Sequence, residues 1–536
     1  NTDRTMFDEN ATPDVSSDGL VAHELAHQWF GDMLTTRNWA HAWLNEGFAT
    51  FFSRKYREHK FGIDEGEYIR YGEINGYFGS NRRWRRATVQ HRFYESMDVF
   101  DGHIYAKGSL ILNMLQDYLG DDAFWRFIKQ YTKENQFKNV ETPDLKKTIE
   151  ETTGQNMDWF FQQWVYEPGF PEYDVSWKYN QRNKTIKLTV KQIQKNPNIF
   201  KMPIQIQIDN QKHSIWIEDR EMIYEIHADN RPEMVIFNAG MRVPCKLNFN
   251  KSISEWIVQL ENGPHILDRI AAAKELSTKK GRRKVEKALL NAARNDPFWG
   301  VRKEAVNGFS KLKSKQYADD LMALEKNQDN RVRRAIWNGL RNYKENESVS
   351  AFLQTVTLND KKYYSVADAF KALVVVDTAA AGQIVDSLLE INSHNDVIRK
   401  AAITYFGSVI SDKNYNRLNE LVAYGGTTWD ARPEAVKQLS KYVKTKPKTI
   451  NFFVDMLEDN SRDIRRNAIR AIRSYGDKSH ISALEEALEK DPIISRDVRS
   501  AIKNILHPPK KIKMSDREKE LEDAYKKIDQ IRKLIH

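Results

Sequence analysis

The chain has 536 residues, which at about 150 residues per domain allows three or four domains with several buried cores. Mean hydropathy is −0.69, 29% of residues are charged and no run of roughly 18 apolar residues occurs, which excludes a membrane-spanning helix in this sequence. Apolar content of 40%, with 13 Trp, 22 Tyr and 25 Phe, excludes a disordered chain, and the single cysteine, Cys245, excludes intrachain disulfides and cysteine metal clusters. The formal charge of +10 raises the question of nucleic acid or another acidic partner. The sequence opens at Asn1 rather than Met, inside what reads as folded chain, so a fragment or processed product is expected and the compartment stays open.

Residues 1–170 mix helical patterns with aromatic turns. A first helix is expected from Asp18 to about Phe30, with apolar positions at Leu20, Val21, Leu25 and Trp29 and a stop at Gly31. A second covers about Ala40 to Lys60, stopped by Gly62. Others follow over Tyr105–Leu119, Asp122–Lys133, Thr142–Thr152 and Met157–Tyr166. Pro168, Gly169 and Pro171 mark a boundary.

Residues 171–250 change period. Ile186, Leu188 and Val190 alternate with polar residues, as do Ile204, Ile206 and Ile208, then Ile215 and Ile217, with Ile223, Tyr224 and Ile226 after them. Period two with Asn and Asp at the turns reads as a small antiparallel β-sandwich.

Residues 251–508 repeat. An aliphatic-basic or related pair recurs at Asp268, Val301, Val332, Val366, Ile398, Ala431, Ile464 and Val498, at spacings of 33, 31, 34, 32, 33, 33 and 34. Such regularity marks an α-solenoid of helical hairpins resembling HEAT repeats. Residues 509–536 read as one last helix with a stripe at Leu521, Ala524, Ile528, Ile531 and Ile535. The fold class expected is therefore multidomain α+β.

The chemistry concentrates near the amino terminus. His23-Glu24-Leu25-Ala26-His27 is an H-E-x-x-H motif. On a helix, positions i and i+4 share a face about 6 Å apart along the axis, so two imidazoles can grip one Zn²⁺ while Glu24 reaches a water on it. Two surface histidines on an amphipathic helix would show the same spacing. Glu46 follows His27 after 18 residues, in "WLNEGFAT". An antiparallel second helix would make it the third ligand, giving a His₂Glu site with an open fourth position, which is the catalytic pattern. A zinc ion lowers the pKa of its water towards 7 and polarises a carbonyl, and Glu24 would pass the proton to the leaving nitrogen. Thr50, one turn after Glu46, is a candidate to buttress a ligand. His41 and His103 are not at ligand spacing and read as structural. Residues 81–87, "NRRWRRA", read as a solvated basic loop.

The stretch "VAHELAHQWFGDMLTTRNWAHAWLNEGFATFF" resembles the zinc core of the M1 aminopeptidases, the gluzincins, and "MDVFDGHIYAKGSLILNML" resembles their Y-x-K-G segment. The resemblance implies a mostly helical thermolysin-like zinc domain, one Zn²⁺ per chain on His23, His27 and Glu46, and peptide substrates. It implies that Tyr105 donates a hydrogen bond to the tetrahedral oxyanion. It also implies an amino-terminal truncation: the family's G-x-M-E-N motif would end at Asn1, a candidate substrate-binding residue, with its amine-binding glutamate one position earlier. Weakened or absent aminopeptidase activity is expected of such a chain. A zinc endopeptidase and a non-catalytic HEAT-repeat scaffold are the competing readings.

By domain, residues 1–170 hold 19 Lys and Arg against 26 Asp and Glu, whereas residues 251–536 hold 53 against 39. The excess base belongs to the solenoid, where each repeat tends to place an arginine, so no nucleic-acid partner is expected.

Overall fold

The computed structural model describes residues 5–195, 198–312, 317–326 and 328–508. The expected helix over 509–536, and Asn1, lie outside the described residues. The chain divides into two compact units after Ser365.

The first unit begins with α1 (Asp18–His27), which leads through a short strand β1 (Leu34–Thr36) to α2 (Trp43–Phe61). Ser53 of α2 donates its hydroxyl to the Gly19 carbonyl of α1 at 2.6 Å, and Lys60 pairs with Asp18 at 2.6 Å, so α2 returns antiparallel to α1. β1 pairs in parallel with β2 (Lys138–Val140). Next to that pair, His41 Nδ1 and Trp43 Nε1 both lie 2.9 Å from the hydroxyl of Thr142, which ties the start of α2 to the far side of the domain. His41 is structural, as its spacing implied.

A long helix, α3 (Ile63–Arg83), fills a stretch where the sequence suggests no element. Its buried side is mostly polar: Glu65, Glu67, Arg70, Glu73 and Ser80 point inwards beside Ile74 and Tyr77, which weakens the apolar periodicity. These charges are paired. Arg54 of α2 meets Glu73 at 3.4 Å, Ser109 donates to Glu73 at 3.0 Å, and Arg70 pairs with Glu67 and donates to the Met241 carbonyl at 2.7 Å. Helices α4 (Ala106–Leu119), α5 (Asp121–Asn135), α6 (Thr142–Thr153) and a short α7 (Asp158–Phe161) running into a π-turn complete the domain.

The α2–α4 crossing is unusually close. A Cβ on Gly108 would lie 2.7 Å from the Gly47 Cα, and one on Gly47 would lie 2.8 Å from the Gly108 Cα. Only two glycines allow the backbones to meet there.

Strands β3 (Glu172–Asn180), β4 (Thr185–Gln192), β5 (Met202–Ile208), β6 (Gln211–Ile217), β7 (Glu221–His227), β8 (Val235–Phe237) and β9 (Lys246–Phe249) form two sheets, ordered β7-β4-β3-β9 and β6-β5-β8. Tyr173 of β3 meets Phe237 of β8 with ring centroids 5.2 Å apart, joining the sheets. The sandwich is not wholly antiparallel: β9 runs parallel to β3. In β7 (Glu221–His227) the alternation places Met222, Tyr224 and Ile226 on the more covered face, so Ile223, expected among the inward residues, is exposed.

Helical hairpins follow, beginning with α8 (Ile253–Asn262), α9 (Ile266–Leu276), α10 (Arg283–Asn295) and α11 (Trp299–Leu312). All eight repeat positions, from Asp268 to Val498, are buried. The repeat arginines form a ladder to the residue 26 or 27 places on. Arg269 meets Asp296 at 2.7 Å, Arg302 meets Gln328 at 2.8 Å and Arg333 meets Asp360 at 2.7 Å in the first unit. Arg432 meets Asp459 at 2.8 Å and Arg465 meets Asp491 at 2.6 Å in the second. The division after Ser365 falls inside the stretch expected as one solenoid, and the first hairpins bind α3. Tyr68 packs on Phe298 and Trp299, Arg331 pairs with Glu65 at 3.3 Å, and His265 pairs with Glu67 at 3.3 Å.

Gly108→Ala should cost about 1–3 kcal/mol, because the added methyl overpacks a backbone contact. Urea unfolding of the variant checks it; unchanged stability would show that the helices can part without cost.

Candidate active site

The H-E-x-x-H segment lies on α1. The apolar positions that mark this helix in the sequence, Leu20, Val21, Leu25 and Trp29, are exposed, whereas Ala26 is buried. His23 and His27 face α2, one turn apart. His23 Nε2 lies 3.1 Å from His27 Nε2, and the two lie 3.3 and 3.4 Å from Glu46 Oε2. One ligand atom from each of the three falls within 4.8 Å of the others.

The outer nitrogen of His27 is fixed as well. Its Nδ1 lies 2.9 Å from the Phe30 carbonyl, an acceptor, so Nδ1 carries a hydrogen and, once the ring is neutral, Nε2 is left to present a lone pair. Gly31 makes room for that ring: it has φ +146°, and a Cβ there would stand 3.1 Å from His27 Nδ1. Two imidazole Nε2 atoms and one carboxylate oxygen, converging without a fourth protein ligand among the described residues, fit a catalytic zinc site.

The electrostatics agree. Burial pushes the Glu46 carboxyl up, but hydrogen bonds from His23 and His27 outweigh it and hold the group at about 2. The bond to Glu46 is the main cause raising His27 above its ordinary value, against the opposing effect of burial. Tyr105, at the N-cap of α4, is pushed up to about 12, first by burial and then by the charge of Glu46. It is therefore a neutral donor at pH 7. Its ring stacks on His23 with centroids 6.1 Å apart at 28°. Glu24 is exposed on α1, and its charge acts on both His27 and Tyr105.

Five of the expected site residues, His23, Glu24, His27, Glu46 and Tyr105, are thus brought to one place. Thr50 is half-buried on α2, and among the described residues no hydrogen bond joins it to the three candidate ligands. Asn1 lies outside the described residues. The basic run is not one solvated loop: Arg82 and Arg83 end α3, while Arg86 is buried and carries an ion pair. Sequence reasoning misses Gly47 and Gly108 and takes Gly31 only as a helix stop. The available signal is adjacency: Gly47 follows Glu46, and Gly108 stands three residues after Tyr105.

Known proteins resemble this chain in both halves. Residues 4–164 match the peptidase family M1 domain, and residues 253–341, 286–374 and 421–505 match HEAT repeats. The chain is 28% identical over 259 residues to probable aminopeptidase 1 of Sulfurisphaera tokodaii, covering 45% of this chain and 32% of that protein. It is 32% identical over 229 residues to the Tricorn protease-interacting factor F2 of Thermoplasma volcanium, covering 41% of this chain and 28% of that protein. The match thus spans about a third or less of these relatives. The crystal structure of Legionella pneumophila aminopeptidase A in complex with aspartic acid shares the fold, with a TM-score of 0.65 at 15% identity over 91% of this chain and 66% of that one.

Zinc must displace the proton that Glu46 helps His27 to hold, so zinc affinity should fall as pH drops through the histidine range. Between about pH 7.5 and 5.5 a loss of at least roughly tenfold is expected in a calorimetric titration; an affinity flat across that range would contradict the ligand set.

Proposed function

We propose that this chain, which carries a peptidase family M1 domain over residues 4–164 and HEAT repeats in its C-terminal half, is a zinc-dependent aminopeptidase that removes N-terminal residues from peptides. The convergence of His23 Nε2, His27 Nε2 and Glu46 Oε2, with Tyr105 stacked beside them, carries this reading. His23, His27 and Glu46 would hold one Zn²⁺ per chain. Zinc bound there supplies Lewis-acid polarisation of a carbonyl and a water of lowered pKa. Glu24 takes the proton from the attacking water and delivers it to the leaving nitrogen. Tyr105 donates its hydroxyl to the oxygen on which negative charge develops.

The acidic balance of residues 1–170 suits a site that receives a protonated amine. The relatives named as aminopeptidases support the exopeptidase reading. In our reading, residues 1–170 are the catalytic domain, 171–250 a supporting β-sandwich and 251–508 a HEAT-like wall. No helix among the described residues is long and apolar enough to cross a membrane.

An endopeptidase would not need the free amine. Peptides of one sequence with free and N-acetylated termini separate the two readings. Cleavage of the free peptide alone is expected, and equal rates on both would replace the aminopeptidase with an endopeptidase.

A further inference from the structure

We infer that Asp101, gripped by Arg86 and His103, is a positioning residue that fixes the hydroxyl of Tyr105 at the site. The inference rests on the role proposed for Tyr105.

Tyr105 is delivered by a tight turn, and the carboxylate of Asp101 organises that turn. One face of the carboxylate takes a fork from Arg86: Nη2 donates to Oδ1 at 2.6 Å and Nε to Oδ2 at 3.3 Å. The other takes two bonds from His103, its backbone N–H to Oδ1 at 2.8 Å and Nδ1 to Oδ2 at 3.0 Å. The Asp101 carbonyl then accepts the N–H groups of Ile104 at 3.2 Å and Tyr105 at 3.4 Å. Backbone and side chain of one residue therefore set the path from 101 to 105.

Arg86 also grips the residue before Phe100. Its Nη2 donates to the Val99 carbonyl at 2.8 Å, and its Nη1 donates to the carbonyls of Ala87 at 2.8 Å and Thr88 at 3.2 Å. Phe100 lies between Val99 and Asp101, and its ring is 6.4 Å from that of Tyr105. The tyrosine is thus held between His23 on one side and Phe100 on the other, with Arg86 bracketing the phenylalanine.

The two partners of the clamp are buried, while the Asp101 side chain is 24% exposed. Arg86 and His103 are buried, and no hydrogen-bond partner reaches His103 Nε2. Behind it Lys107 is buried with its ammonium unpartnered, over the face of Tyr77 at 5.3 Å. Burial pushes that lysine down to about 7, so it offers Asp101 no competing full charge at neutral pH. On the α3 side, the Gly102 N–H donates to Ser80 Oγ at 3.1 Å, and a Cβ on Gly102 would stand 2.5 Å from that oxygen. The turn is pressed onto α3 and has no room to shift except as a unit. A carboxylate holding four donors in such a place is a geometric device, because the site needs an oxygen aimed within a fraction of an ångström.

A double-mutant cycle in the zinc-loaded protein tests this on an amino-acid arylamide. Asp101→Asn keeps the shape but weakens the fork. It should lower kcat roughly ten- to a hundredfold, with KM within about twofold and zinc affinity unchanged, as a misaimed group does. Tyr105→Phe should lower kcat at least as far, and the double variant no further than Tyr105→Phe alone. Losses that multiply in the double variant would overturn the positioning role, as would an unchanged kcat in Asp101→Asn. An unchanged kcat in Tyr105→Phe would instead remove the proposed role of the tyrosine, and a parent without activity would remove both readings. Should Asp101→Asn not fold, Arg86→Ala gives the same decision. Added guanidinium should recover part of its kcat with Tyr105 present and none when Arg86→Ala is combined with Tyr105→Phe; recovery in both backgrounds, or in neither, overturns the inference.

Discussion

Where α2 crosses α4 there is no space for a Cβ on either helix, and the candidate site depends on that contact. Gly47 and Gly108 meet backbone to backbone. Glu46 immediately precedes the first glycine, and Tyr105 stands one turn before the second. Closing the crossing brings the Glu46 carboxylate and the Tyr105 side chain from separate helices to the same place. The antiparallel packing of α1 on α2 then sets His23 and His27 against Glu46. A larger residue at either glycine would part the helices and pull the tyrosine from the ligands.

Part of the charge in this molecule is buried and paired. α3 buries Glu65, Glu67, Arg70 and Glu73, and each finds a partner on a neighbouring element. Removing one member of such a buried pair leaves an uncompensated charge, which makes these contacts specific rather than merely adhesive. The repeat arginines follow the same logic, since each of the five rungs described above joins one hairpin to an acid or amide 26 or 27 residues on. Arginines of the solenoid are thereby engaged in holding consecutive hairpins together.

Much of this is legible in the sequence. The His23–His27 spacing and Glu46 are a short-range pattern on helices, and helix geometry turns that spacing into a site. The repeat period survives because every turn of the solenoid buries the same position, from Asp268 to Val498. What stays hidden has physical causes. α3 is hidden because its buried face is mostly charged, with only Ile74 and Tyr77 as large apolar members, so apolar periodicity is weak there. Ile223 reads as inward because it is apolar, but strand register puts it opposite Thr189 on the outer face. The basic run looks uniform because sequence does not show which arginine turns inwards; Arg86 does, and its neighbours do not. The contacts of the first hairpins with α3 are long-range, and a local repeat period does not encode them.

The most direct test is the Glu24→Gln variant, read by elemental analysis and by peptide hydrolysis together. If His23, His27 and Glu46 are the ligands and Glu24 moves the proton, the variant should keep one zinc per chain and lose roughly a hundred- to ten-thousandfold in kcat. Loss of the zinc, or hydrolysis at the parent rate with zinc in place, would contradict that assignment.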